Sequence, residues 1–198
     1  MNRVIRSLAL TLAVLPSLAL AADAWKIDGS HTQAGFSVKH FMISTVRGDF
    51  DKTEGKVMLD EADITRSTVE ATIDVASVST RDEKRDAHLK TADFFDVAKF
   101  PKMTFKSTKV EKAGEGLKVT GDLTLRGVTK PVVLDVVGPT KEMKDPWGNT
   151  RRGLSATTKL NRKDFGVSYG PDAVVSDSVT VTIEAELVKE APPAAPAK

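Results

Sequence analysis

The stretch "VSDSVTVTIEAELVK", Val175 to Lys189, places Val175, Val179, Val181, Ile183, Ala185 and Leu187 on one parity, and Ser178, Thr180, Thr182, Glu184 and Glu186 on the other. Successive side chains of an extended strand point to opposite faces, so this pattern describes a strand with one wet and one dry face. "STVEATIDV" repeats it with Val69, Ala71, Ile73 and Val75, and "GLKVTGDLTLRG" with Leu117, Val119, Leu123 and Leu125. Weaker versions run from Ala34 to His40, Val46 to Phe50, Gly55 to Leu59, Met103 to Glu111, Val132 to Gly138 and Leu154 to Leu160. That makes about nine candidate strands, separated by turn-rich joints such as "KAGEG" and "KDPWGN". A single open sheet would leave every apolar face in water. The strands must therefore close into a barrel or pack as a sandwich, and short joints favour antiparallel neighbours.

One segment breaks the alternation. "STRDEKRDAHLKTADFF" offers Thr80 as an N-cap with Glu83 three residues later, then helix formers through Leu89 and Lys90, with Pro101 as the outer bound. The surrounding stretch from Arg85 to Phe105 also holds half of the chain's eight phenylalanines. The expectation is one β-barrel or sandwich with a single short helix in a long connection. Phe94, Phe95 and Phe100 either plug one end or flank the entrance to an interior that holds something.

The first 21 residues combine Arg3 and Arg6 with an apolar run from Leu8 to Leu15 and the small-residue pattern Ala19-Leu20-Ala21. This reads as a secretory signal peptide cleaved after Ala21, with a domain over residues 22–189 and a disordered Ala/Pro tail over 190–198. Removing two arginines and no acid takes the formal charge from +2 to zero, which gives no electrostatic case for nucleic acid. The chain has no cysteine, so disulfides, thiolate metal ligands and thiol catalysis are excluded.

The residues offer no evident catalytic set. Neither a G-x-S-x-G elbow nor a phosphate-binding glycine loop occurs, and His31, His40 and His88 follow no metal-binding spacing. We expect no enzyme, no metal and no cofactor. Trp147, in the turn Pro146-Trp147-Gly148-Asn149, either covers a barrel end or serves as an interfacial anchor with Arg151 and Arg152 behind it. Asp177 shares the parity of Val175 and Val179, so it sits either at a rim or inside a cavity. A barrel of about eight strands is filled by its own side chains or holds one small ligand.

Four ordered blocks carry a resemblance over almost all of the domain: "DGSHTQAGFSVKHFMISTVRGDF" from Asp28, "RDAHLKTADFFDVAKFPKMTF" from Arg85, "GDLTLRGVTKPVVLDV" from Gly121 and "DPWGNTRRGLSATTKLNRKDFGV" from Asp145. In these the chain resembles the YceI-like family of exported bacterial proteins. The resemblance implies an eight-stranded antiparallel lipocalin-like β-barrel with one helix, enclosing an elongated pore for long-chain lipophiles, polyisoprenoids above all. With nine candidates for eight strands, one is a loop or a split strand. Parity and ring size then nominate Phe36, Val38, Phe94, Phe95, Phe105, Leu123, Leu125 and Val181 to line the pore. Arg81, Arg151, Arg152 and Asp177 are nominated to meet a polar head group. The expected function is that of a periplasmic carrier, with transient membrane contact and a homodimer both permitted. The competing expectations are a structural or stress-response protein with a filled barrel, and an enzyme acting on a lipophilic substrate in the same pore.

Overall fold

The structure, a computed structural model, describes residues 22–191; residues 1–21, with the expected signal peptide, and 192–198 of the tail lie outside the described residues. The strands are β1 (Asp23–Ile27), β2 (Gln33–His40), β3 (Ser44–Phe50), β4 (Thr53–Leu59), β5 (Thr68–Asp74), β6 (Val78–Ser79), β7 (Lys102–Ala113), β8 (Gly116–Leu125), β9 (Val128–Val137), β10 (Met143–Lys144), β11 (Thr150–Asn161) and β12 (Val175–Lys189). One α-helix, α1 (Glu83–Leu89), occurs among the described residues.

These segments form eight staves. β1 and β2 lie end to end along β12, with Ile27 opposite Leu187 and Ala34 opposite Ile183. β3 and β4 pair with β2 and β1 respectively, and β6 and β5 continue the series beside them. β7, β8 and β9 follow as plain hairpins, and β9 pairs with β11. The ring closes where β11 meets β12 from Arg151–Val188 to Asn161–Ser178. Every pairing is antiparallel, which makes this a closed eight-stranded up-and-down barrel without an open edge in the ring. The candidates Val46 to Phe50 and Gly55 to Leu59 are two halves of one stave, which reduces nine to eight. The alternation did not reveal β1, whose five residues are too few to display a period.

The bent staves have local causes. Asp28 accepts from the Ser30 N–H at 3.1 Å and Asp74 from the Ala76 N–H at 3.0 Å, each opening a one-turn 3-10 segment. Between β3 and β4, the Lys52 N–H donates to Ser77 Oγ at 3.1 Å, which ties two of the three bends together. The β8–β9 turn uses Arg126 and Gly127 at φ 50 and 74, the left-handed pair that a tight hairpin requires.

Helix α1 is capped differently from the expectation. Its N-cap is Asp82, whose carboxylate accepts from the Arg85 N–H at 3.0 Å. Thr80 lies outside the helix and is buried, donating through both its N–H and its hydroxyl to Asp86 and accepting from Arg85 Nε. A carboxylate two residues later in the sequence satisfies one free N–H of the first turn, and Thr80 instead ties the chain before the helix to Arg85 and Asp86.

Aromatic rings lie across glycines inside the barrel. A Cβ at Gly121 would fall 2.4 Å from the Phe105 ring and 2.6 Å from the Lys106 carbonyl oxygen. Gly121→Ala is therefore expected to cost about 1–3 kcal/mol by overpacking, read as a lower denaturant midpoint at unchanged slope.

Candidate functional site

The inward faces of all eight staves enclose a cavity of about 300 Å³. Its exposed wall is entirely apolar in atom type. The wall follows from the period-two pattern: β12 contributes Val175, Val179, Val181, Ile183, Ala185 and Leu187, and β8 contributes Leu117, Val119, Leu123 and Leu125. Leu89, Phe94, Phe95, Phe165 and Val167 line the helix end, and Ile64 and Pro139 belong to the loops at the opposite end. Phe50 packs against Phe36 in a tilted pair and against Phe95 edge-on, both at ring-centroid distances of 5.7 Å, so strand and connection form one aromatic wall.

All eight residues nominated for the pore, Phe36, Val38, Phe94, Phe95, Phe105, Leu123, Leu125 and Val181, lie on this wall. Phe100 does not; its ring packs against Gly127. None of the four nominated head-group residues lines the cavity. Arg81 is exposed in the segment before α1, at φ 64. Arg151 is held by three carboxylates, Asp28 at 2.7 Å, Asp145 at 2.8 Å and Glu186 at 2.9 Å. Arg152 pairs with Glu61 at 2.5 Å and lies over the Trp25 ring. Asp177 turns to Arg162 at 3.2 Å and Lys163 at 2.9 Å, because the β2–β12 register shifts between Val175 and Val179 and breaks the parity there. Of the two readings of Asp177, the rim is the observed one. Trp147 does not cover a barrel end: it is 82% exposed at the tip of a turn that Asp145 organises.

Arg162 escaped the sequence reading. It is 5% exposed, and its guanidinium donates to the carbonyls of Val167, Tyr169, Gly170 and Val175, with a longer bond from Nε to Ser176. A single buried cation thus folds the connection between β11 and β12 over the helix end of the cavity. The legible signal was local: Asn161 caps the turn through the Lys163 N–H, and Gly166 ends it in the left-handed region.

Among the described residues, two groups of acidic and His side chains come close enough together to hold an ion, Asp28 with His31 and Glu186, and Asp23 with Glu61 and Glu142. Arg151 already bonds Asp28 and Glu186, and each acid of the second group pairs with Lys189 or Arg152. The bonds from Arg151 and then His31 hold the Asp28 carboxyl down at about 2, and Arg151 holds Asp145 well below the carboxylate range. A carboxylate with a depressed pKa stabilises the fold above its unfolded value, 3.8 here, and that contribution disappears as pH falls through the folded value. Thermal midpoints are thus expected to fall from about pH 4 towards pH 2 in the native chain, and to fall less steeply over that window in Arg151→Met. Scanning calorimetry across the window checks this.

Comparison with known proteins places these features in a wider set. Residues 25–187 match the family model of the YceI-like domain. Protein YceI of Escherichia coli is 41% identical over 178 residues, covering 87% of this chain and 90% of that protein. The crystal structure of the Campylobacter jejuni YCEI protein superposes with a TM-score of 0.69 at 35% identity, over 77% of this chain and 90% of that one. A polyisoprenoid-binding domain from Saccharophagus degradans, implicated in plant cell wall breakdown, superposes with a TM-score of 0.64 at 17% identity, over 85% of this chain and 99% of that one.

Proposed function

The chain belongs to the YceI-like family, and on that premise we propose that it is an exported carrier which holds the chain of a long lipophile, a polyisoprenoid, inside the barrel. The observation that carries this reading is the cavity of about 300 Å³, whose lining is apolar but for Thr32, Thr53, Ser67, Thr158 and Arg162. A void in a packed core costs about 24 cal/mol per Å³, so one of this size left unfilled costs on the order of 7 kcal/mol, comparable with the whole stability of a domain. Water is a poor filler, because a hydrated cavity needs polar partners for each molecule. A hydrocarbon chain fills it at a gain of roughly 25 cal/mol per Å² of apolar area removed from water.

The same wall sets where the polar end of a guest goes. With no polar atom exposed inside, a head group stays at a mouth of the barrel, where it remains hydrated. The binding domain from Saccharophagus degradans supports the choice of a polyisoprenoid as guest. The location follows from the signal-peptide pattern, and we assign the mature protein, beginning at Ala22, to the periplasm. A binding role accounts for the wall, whereas an enzyme needs polar groups at the reacting atoms, which this interior does not expose.

Titrating delipidated protein with an environment-sensitive probe on a long isoprenoid chain tests the reading. Saturable binding at one probe per barrel, competed by unlabelled polyisoprenoid, is expected. A linear, non-saturating signal would remove the carrier from consideration. Periplasmic release of a species whose mass begins at Ala22 tests the location, and full-length protein retained in the cytoplasm would overturn it.

A further inference from the structure

The β2–β3 hairpin ends in Phe41, Met42 and Ile43, which are 54%, 64% and 86% exposed. The turn closes by an Ile43 N–H bond to the His40 carbonyl at 3.1 Å, with Phe41 and Met42 at φ 49 and 56. Both positions of such a turn favour Gly, Asn or Asp, since a Cβ is strained in the left-handed region. Here they carry large apolar side chains that the barrel does not bury. The Phe41 N–H donates to the Val174 carbonyl at 2.9 Å, which fixes the tip against the β11–β12 connection instead of leaving it free.

The tip stands at the helix end of the barrel: His40 pairs with Val175, and β3 pairs with β6, whose chain continues into α1. Just below it, Lys39 lies opposite Thr45 and Arg47 opposite Ser37, both on the outward parity of the hairpin. Lys39, Arg47 and Arg81 are exposed and make no ion pair among the described residues. Of the acids in the adjoining segment, Asp82 accepts from the Arg85 N–H and Asp86 from Thr80, while the exposed Glu83 is flanked by the exposed Lys84.

We propose that the Phe41–Ile43 tip with its collar of Lys39, Arg47 and Arg81 docks the protein on an anionic phospholipid bilayer. An apolar wedge above a basic collar matches the two layers of such a surface, acyl chains below and phosphates above. Of the other exposed aromatics, Tyr169 packs against His88 and Phe94, and Trp147 is a single ring in the turn before β11, at the opposite end of the barrel. Docking at the helix end brings Phe94 and Phe95, at that end of the cavity, toward the membrane from which a lipophile would be drawn. The purpose of the contact rests on the carrier reading; the contact itself is tested apart from it.

The experiment is flotation of the mature chain with vesicles of phosphatidylethanolamine and phosphatidylglycerol, beside vesicles of phosphatidylcholine alone. Binding is expected to the anionic vesicles and to weaken in high salt. The pair Met42→Ser, Ile43→Ser is expected to lose roughly tenfold in partitioning, and Lys39→Gln, Arg47→Gln several-fold, with Trp147→Ser unchanged. Retention of the isoprenoid probe is expected to stay intact in all of these, which separates this proposal from the carrier reading. Anionic vesicles that recover no wild-type protein would overturn it, as would a serine pair that partitions like wild type. If the serine pair instead converts a dimer to a monomer in lipid-free sedimentation, the tip binds a second copy and the membrane assignment falls.

Discussion

Leu123→Glu is expected to abolish retention of a long-chain guest in a barrel that still folds. Leu123 lies on the cavity wall opposite Phe105, is 8% exposed, and packs with Leu125 and Phe165. A carboxylate there has no partner, since the wall exposes no polar atom. Burying it unpaired beside a hydrocarbon chain costs several kcal/mol, whereas a water-filled lumen hydrates it. The substitution therefore offsets several kcal/mol of the chain's burial gain, and since about 1.4 kcal/mol is tenfold, lipid recovered per barrel is expected to drop below about a tenth of wild type. Ala156→Phe, on the same wall, adds a ring and no charge and should also exclude the guest by volume. If both variants are folded by circular dichroism and both retain lipid, the guest is not inside the barrel.

Trp25→Ala is expected to be the most damaging single truncation for stability. Trp25 is 0% exposed and packs with Ile27, Val57, Leu59 and Leu187, where β1 sits between β4 and β12. Arg152 and Lys189 lie over its ring at 5.3 and 5.5 Å from the centroid, so truncation also removes a platform for two cations. Loss of the ring costs about 3–5 kcal/mol, which lowers the thermal midpoint by roughly 10 °C in a domain of this size. Because its indole N–H has no acceptor, Trp25→Phe is expected to keep most of the stability. A midpoint within a degree or two of wild type in the alanine variant would show that β1 does not hold the barrel closed.

How far the sequence reached depended on the kind of interaction involved. Strand faces were legible because period two is a local property: the residues of one parity in β8 and β12 do line the cavity, and rings such as Phe36 and Phe105 follow the same rule. The bent staves were visible only in part. The breaks after Ile27 and Asp74 are marked by aspartates that cap single turns, yet only the pairing across β12 and β3 shows that each break interrupts one stave.

Charge was legible and its partners were not. Arg151 stood out as a cation behind an exposed Trp, but Asp28 lies 123 residues away in the chain and nothing local announces that pair. The same holds for Arg152 with Glu61, and for Arg162, whose acceptors are main-chain carbonyls that carry no sequence signature. Asp177 was legible only as a choice between rim and cavity; a register shift on its own strand, which no local pattern announces, moved it off the parity of its neighbours and put it at the rim.

The most direct measurement is mass spectrometry of an organic extract from protein released from the periplasm without detergent, beside an unrelated exported barrel as control. The account predicts a long-chain isoprenoid at close to one molecule per barrel, absent from the control and lost in Leu123→Glu. An extract without such a species, both as isolated and after incubation with membrane lipids, would contradict it and leave a barrel whose working surface is its exterior.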